Sequence, residues 1–256
     1  MLSDHQTNLL AAGVLATFGL AFVAWVVWVY RQFNFTPAAF PIYMLNLVMT
    51  RIMWRCKIEG QVHFPKGQGA VIVCNHIGPV DPAFVALASN RPAHWMVARE
   101  YVEHPAYAWA FRILQVIPAG RGGVDTAATR LAVRYASQGD LVGMFPEGRI
   151  NTTDKLMLPG RHGAALVALK ARVPVVPCYL KGSPHTEVLF GFLFTPAKAT
   201  LRVGQPIDIT PYADRGDDRE VQLDLTRRFL KEIAVLAGQP DYVPELAGRQ
   251  WKPAAV

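Results

Sequence analysis

Cysteine is scarce in this chain and carries no pattern. Cys56, Cys74 and Cys178 stand far apart, form no C-x-x-C pair, and each lies in or beside an apolar run. That sets aside a disulfide framework and a zinc site, and suits buried thiols in a reducing compartment. Charge is thin as well: 18% of the residues are charged against 52% hydrophobic, and mean hydropathy is +0.18. A balance this apolar leans towards a membrane. The net charge is +7 with a pI near 9.5, which fits a phosphate-bearing partner or an anionic lipid surface. No dense Lys/Arg run is present, so nucleic acid is set aside. No G-x-S-x-G elbow occurs, which removes the serine nucleophile a hydrolase would need. Internal repeats and low-complexity segments are missing too.

The longest stretch without charge runs from Leu9 to Tyr30, LLAAGVLATFGLAFVAWVVWVY. As a helix it would be about 33 Å long, enough for a hydrocarbon core of about 30 Å. Trp25, Trp28 and Tyr30 gather at one end, where amphipathic rings prefer the interface. A cleaved signal peptide is the competing reading. Against it, no Lys or Arg precedes Leu9, the run is too long, and no A-x-A site follows promptly. Arg31, Arg51, Arg55 and Lys57 all lie downstream, so the positive-inside rule expects the main domain in the cytoplasm. PIYMLNLVMTRIMWR, from Pro41, predicts a second helix with Asn46, Thr50, Arg51 and Arg55 on one narrow face and apolar residues around the rest. It suits the membrane interface or packing on the first helix; an ordinary core helix is the alternative.

From Glu59 short apolar runs alternate with helical stretches. Strands are expected at 70–74, 95–98, 115–117, 141–145, 175–180 and 200–203, and helices at 82–88, 126–137, 161–171 and 220–236. Asp125 can cap the helix at 126 and Gly139 can end it. The alternation predicts an α/β fold: a single domain with a mostly parallel central sheet flanked by helices, preceded by an N-terminal transmembrane or interfacial helix pair. The expected division is an anchoring pair over 1–57, a catalytic domain over 58–238 and an irregular tail over 239–256.

Chemistry concentrates where strands end. VIVCNHIGPVDPAF sets His76 and Asp81 five residues apart in a loop that Gly78 and Pro79 can turn tightly. A carboxylate on Nδ1 would fix the imidazole tautomer and leave the other nitrogen to take a proton. Asp81 could equally N-cap the helix starting at Pro82, and the two roles are compatible. Cys74 raises a Cys–His nucleophile, although its place in VIVC favours a packed thiol. No metal cluster is expected. MFPEGRIN sets Glu147, Gly148 and Arg149 after another strand: Arg149 is suited to hold a phosphate, with Glu147 orienting it or holding a hydroxyl. A plain Glu–Arg loop pin is the alternative. In VIPAGRGG, Arg121 is flanked by glycines that would let backbone N–H groups approach an anion. ARVPVVPCYL offers no chemistry and reads as architecture.

In this order N-H-x4-D, the Gly-flanked Arg after IP, F-P-E-G-R and V-P-V-V-P resemble the four blocks of the glycerolipid acyltransferase family, over about residues 58–203. More closely the chain is similar to the family's bacterial 1-acyl-glycerol-3-phosphate acyltransferases, and the N-terminal helix pair resembles their membrane-docking helices. The resemblance implies that His76 deprotonates the acceptor's hydroxyl and Asp81 orients it. The hydroxyl would attack the thioester of acyl-CoA or acyl-carrier protein directly, with no acyl-enzyme and no cofactor. Arg121, Glu147, Gly148 and Arg149 would bind the glycerol phosphate of lysophosphatidate. Arg99, in VAREY, stands where the family commonly has a lysine. The third block usually reads F-P-E-G-T-R-S, whereas here Arg149 follows Gly148 directly. The implied acceptor is lysophosphatidate, with a lyso-ornithine lipid or another lysophospholipid as alternatives. The implied location is a bacterial inner membrane, with the catalytic domain on its cytoplasmic face among membrane lipids. A non-catalytic, membrane-bound lipid-binding protein is the reading from another class; it has no need of His76 and Asp81.

Overall fold

The structure is a computed structural model and describes residues 3–32, 35–62, 64–89, 91–120, 125–186 and 191–248. The chain opens with α1 (Asp4–Gln32) and α2 (Phe40–Val48), the latter continued by a π-helical turn at Met49–Met53. Then follow β1 (Lys57–Glu59), β2 (Ala70–Cys74), α3 (Asp81–Ala88), β3 (Ala93–Ala98), α4 (Arg99–Val102), α5 (Ala108–Ile113), β4 (Ile117–Ala119) and α6 (Thr126–Ser137). The order ends with β5 (Leu141–Met144), α7 (Gly163–Ala171), β6 (Val175–Lys181), β7 (Thr200–Val203) and α8 (Arg219–Leu236).

Seven strands form one sheet in the order β1-β7-β6-β2-β5-β3-β4, parallel throughout except for the antiparallel β6–β7 pair. β2 lies in the middle and is buried at every position. Its period-two alternation divides the core. Val71 and Val73 pack with residues of α6, α7 and α8, while Ala70, Ile72 and Cys74 pack with Phe84 and Val85 of α3 and with Trp54. The result is three layers, helix–sheet–helix. β1 was not expected: three residues with charged ends carry no hydrophobic alternation, and the strand exists through its register with Thr200–Arg202. β4 begins two residues later than expected, because Gln115 takes a left-handed backbone (φ 51°) that turns the chain out of α5.

α1 is long and apolar enough to cross a membrane, and its apolar window is 0% buried. Twelve large apolar side chains from Leu9 to Tyr30 stand exposed. Burying one such side chain is worth about 1.5–3 kcal/mol, and nothing among the described residues covers this face of α1. Its end is tied to α2 by a T-shaped Tyr30–Phe40 contact at 5.0 Å and by a small core of Val29, Phe35, Ala39 and Tyr43. α2 turns its polar side inward. Asn46 Nδ2 donates to Ala83 O of α3 at 2.8 Å, Thr50 is buried, and Leu45, Val48 and Ile52 face outward.

Candidate active site

Two loops meet at the carboxyl end of the sheet. β2 and β5 are hydrogen-bonded neighbours, so the residues after Cys74 and those after Met144 emerge side by side. Asn75 continues the sheet by side chain: its Oδ1 accepts from Leu180 N at 2.7 Å and its Nδ2 donates to Leu180 O at 2.9 Å. That fixes the departure point of the next residue, His76.

The His76 Nδ1 lies 2.9 Å from Asp81 Oδ2. Asp81 is fully enclosed and occupies the first position of α3, yet its side chain does not cap that helix. It bends backward instead, and Oδ2 also accepts the N–H groups of Ile77 (2.7 Å) and Gly78 (2.9 Å). The alternative expectation, a simple N-cap, is therefore corrected: the carboxylate organises the loop that bears the histidine. Gly78 is required there, since a Cβ would meet Ser183 Oγ at 2.7 Å and Pro184 O at 3.0 Å. The other oxygen, Asp81 Oδ1, is buried without a hydrogen-bond partner among the described residues, and so is Ser183 Oγ.

The imidazole has its face covered as well as its Nδ1 edge. It stacks on Phe145 at 3.8 Å and 7°, and Phe145 stacks in turn on Trp95 at 4.7 Å. Gly143 makes room for that aromatic shelf, because a side chain at 143 would run into the Trp95 ring. His76 keeps 16% of its side chain exposed. With Nδ1 on Asp81, Nε2 is the nitrogen left for an incoming group. The backbone of His76 is held at both ends by the second loop: its N–H donates to Glu147 Oε1 at 2.8 Å, and its carbonyl accepts from Asn151 N–H at 2.7 Å.

Glu147 differs from expectation. It is 0% exposed, and its second oxygen accepts from Leu158 N–H at 2.7 Å. It points inward as a brace for the histidine loop, away from solvent and from a partnership with Arg149. Burial pushes its carboxyl up to about 8, against the pull of the Leu158 and His76 N–H groups. Gly148 closes a turn by donating to Phe145 O at 3.0 Å and has φ 70°, a conformation glycine adopts without cost. Arg149 follows it, exposed.

Arg99 begins α4 and reaches Asp125 Oδ2 at 3.4 Å. Asp125 also accepts from Gly120 N–H at 2.9 Å and caps α6 through Ala127 and Ala128, as expected of that position. Arg99 thus has a carboxylate partner. Arg121 itself lies outside the described residues. Cys74 is fully buried on the α3 side of the sheet, and burial raises its thiol well above the ordinary value, so it is a packed thiol and no partner for His76. No cluster of metal-ligating side chains occurs among the described residues.

Phe145, Trp95, Asn151 and Ser183 were not singled out from the sequence. Phe145 and Asn151 both lie inside MFPEGRIN, where nothing local marks them. The others depend on contacts between distant segments.

Residues 55–181 match the acyltransferase family model. The chain is 23% identical to the 1-acyl-sn-glycerol-3-phosphate acyltransferase of Bacillus subtilis over 61% of this chain and 76% of that protein. A protein of the same name from Limnanthes douglasii is 27% identical over 63% of this chain; the match spans 58% of the plant protein, less than two thirds of it. The crystal structure of the 1-acyl-sn-glycerophosphate (LPA) acyltransferase PlsC from Thermotoga maritima matches with a TM-score of 0.57 and 21% identity, covering 83% of this chain and 88% of that one, a likeness of fold. The region that matches the acyltransferase family model, just under half of the chain, contains the histidine–aspartate loop.

Proposed function

We propose that this O-acyltransferase moves a fatty acyl group from a thioester to the free hydroxyl of 1-acyl-glycerol 3-phosphate, giving phosphatidate for phospholipid synthesis. The observation that carries the reading is the 2.9 Å contact of His76 Nδ1 with enclosed Asp81, with Nε2 left over on a mostly buried ring. Nε2 takes the proton as the acceptor's oxygen attacks the thioester carbonyl. Asp81 holds the Nδ1–H tautomer and offsets the imidazolium charge that forms. The tetrahedral intermediate then collapses, the C–S bond breaks, and the imidazolium returns its proton to the departing thiolate. The protein needs no nucleophile of its own and no cofactor for this, only acyl-CoA or acyl-carrier protein as co-substrate. Arg149 is the described residue best suited to hold the acceptor's phosphate, and Arg121 and Arg99 belong to the same proposal. The relatives' names and the positive charge of the chain support a phosphate-bearing acceptor.

In the same reading α1 crosses the membrane and the outward Leu45–Ile52 face of α2 lies in the interface, with the catalytic domain on the cytoplasmic side. The test is an assay of purified protein against a panel of lysolipids with both donors. Acylation of lysophosphatidate above all others supports the proposal. Preference for a lyso-ornithine lipid or another lysophospholipid replaces the acceptor and keeps the chemistry. No acyl transfer to any of them leaves a lipid-binding protein.

A further inference from the structure

Arg161 stands two residues before α7, and its neighbours fix where its side chain starts. Its N–H donates to Pro146 O at 2.8 Å, inside the turn that leads to Arg149. Gly160, just before it, is clamped by the C-terminal segment: its N–H donates to Glu245 O and its carbonyl accepts from Ala247 N–H, both at 2.9 Å. The stem of Arg161 then crosses Gly148, where a Cβ would lie 3.2 Å from its Cδ and 3.3 Å from its Nε. Glycine at 148 therefore serves two ends, the left-handed turn and room beneath Arg161.

Two exposed arginines, Arg149 and Arg161, are thus brought to one turn. Some guanidinium groups elsewhere have carboxylate partners, among them Arg99 with Asp125, Arg172 with Asp214 and Arg202 with Glu59. Among the described residues Arg149 and Arg161 form no ion pair. The carboxylate nearest in sequence, Glu147, faces inward with both oxygens on backbone N–H groups. Two like charges carried on one turn without a counter-anion repel, and an anion that both can reach relieves the repulsion. α7 begins beside them with no side-chain cap on its N-terminal N–H groups, which adds positive potential.

We propose that Arg161 is the second guanidinium of a phosphomonoester subsite, acting with Arg149, and that the pair favours a doubly charged phosphate over zwitterionic or uncharged head groups. That this phosphate is the acceptor's rests on the reading above. A phosphomonoester carries about −1.5 to −2 at neutral pH, which matches two guanidinium groups where a single one would leave it half neutralised.

The experiment uses the purified full chain in detergent, with Arg161→Ala, Arg161→Gln and Arg161→Lys. Calorimetry would compare a short-chain, water-soluble lysophosphatidate with the monoacylglycerol of the same chain, and steady-state kinetics would give KM for each substrate. Loss of a charge-assisted contact predicts about tenfold to hundredfold weaker binding of lysophosphatidate. Monoacylglycerol binding and the donor KM should not move, and Arg161→Lys should recover part of the loss. Arg161→Gln keeps the stem over Gly148, so it shows the effect of charge even if Arg161→Ala folds poorly. Equal losses for both lipids, or none, would overturn the subsite. A rise confined to the KM for acyl-CoA would overturn the assignment to the acceptor, because the phosphates held would be the donor's. Arg161-dependent binding in a wild-type protein that transfers no acyl group would sustain the subsite and sink the proposed reaction.

Discussion

Glu147 and His76 are joined side chain to backbone across 71 residues of sequence: the Glu147 carboxylate accepts the His76 N–H at 2.8 Å. Its other oxygen holds Leu158, so one enclosed acid ties the histidine loop to the segment leading to Arg161. A carboxyl here is both needed, as a double acceptor, and strained by burial when ionised.

The first prediction follows from that conflict. The Glu147 carboxyl is raised from 4.5 to about 8 in the folded protein. Between these values the native state keeps a proton that the unfolded chain releases. The contribution of this group is therefore fully present below about pH 4.5 and is lost as pH rises through about 8, with a limiting slope of about 1.4 kcal/mol per pH unit. Thermal unfolding of wild type and Glu147→Gln across pH 5–8 should show an extra downward slope in wild type alone. Glu147→Gln should also be less stable overall, since its amide cannot accept from both N–H groups. Parallel pH dependences would refute the assignment.

The second prediction concerns Asp81. Oδ2 carries all three contacts and Oδ1 carries none, so Asp81→Asn can set its carbonyl at the Oδ2 position and its amide at the empty one. The loop should keep its shape while the negative charge behind the imidazole is lost. The variant should fold normally and lose acyl transfer, as His76→Ala should, by about 10²–10⁴-fold. Near-normal turnover in well-folded His76→Ala would remove His76 from the chemistry, and in Asp81→Asn it would remove the need for a charge behind the imidazole.

These residues also mark where reading the sequence stops. β2 and α6 have the expected bounds because their signals are local: a β-branched run, and an aspartate cap with a terminating glycine. His76 and Asp81 are equally local, five residues apart across a Gly-Pro turn. Glu147 is not. Its sequence neighbour Arg149 suggested a pair, whereas its partners come from β2's loop and from Leu158, and only the sheet order β6-β2-β5 brings them together. Arg161 went unnoticed for the same reason, since its contact with Gly148 exists only after the chain has folded back.

The third prediction concerns the C-terminal segment, expected to be an irregular tail. Its described residues, 239–248, hold no helix and no strand longer than a single bridge, and they form a strap. Residues 245 and 247 bridge Gly160, Tyr242 OH donates to Met157 O at 3.4 Å, and Lys155 meets Glu245 at 3.2 Å. Ending the chain after Gly238 should loosen residues 155–161, lower the unfolding midpoint, and raise the acceptor's KM more than the donor's. An unchanged midpoint with unchanged kinetics would show that the strap does nothing.

The last prediction separates two modes of membrane attachment. α1 exposes an apolar surface that only lipid or a partner can cover, whereas α2 adds a narrower face of Leu45, Val48 and Ile52 beside the exposed Arg51 and Arg55. A spanning helix resists alkaline carbonate. An interfacial face with basic neighbours binds through buried apolar area and charge, and is released by carbonate or salt. The full chain should therefore stay in the membrane fraction after carbonate washing. A variant lacking residues 4–32 should bind vesicles containing anionic lipid at low salt and come off in carbonate. Adding Leu45→Asp and Ile52→Asp to that deletion should abolish vesicle binding, because each buried apolar side chain is worth about 1.5–3 kcal/mol and a carboxylate reverses the attraction. Release of the full chain by carbonate would make α1 a docking helix, and undiminished binding by the doubly substituted deletion would move the contact away from α2.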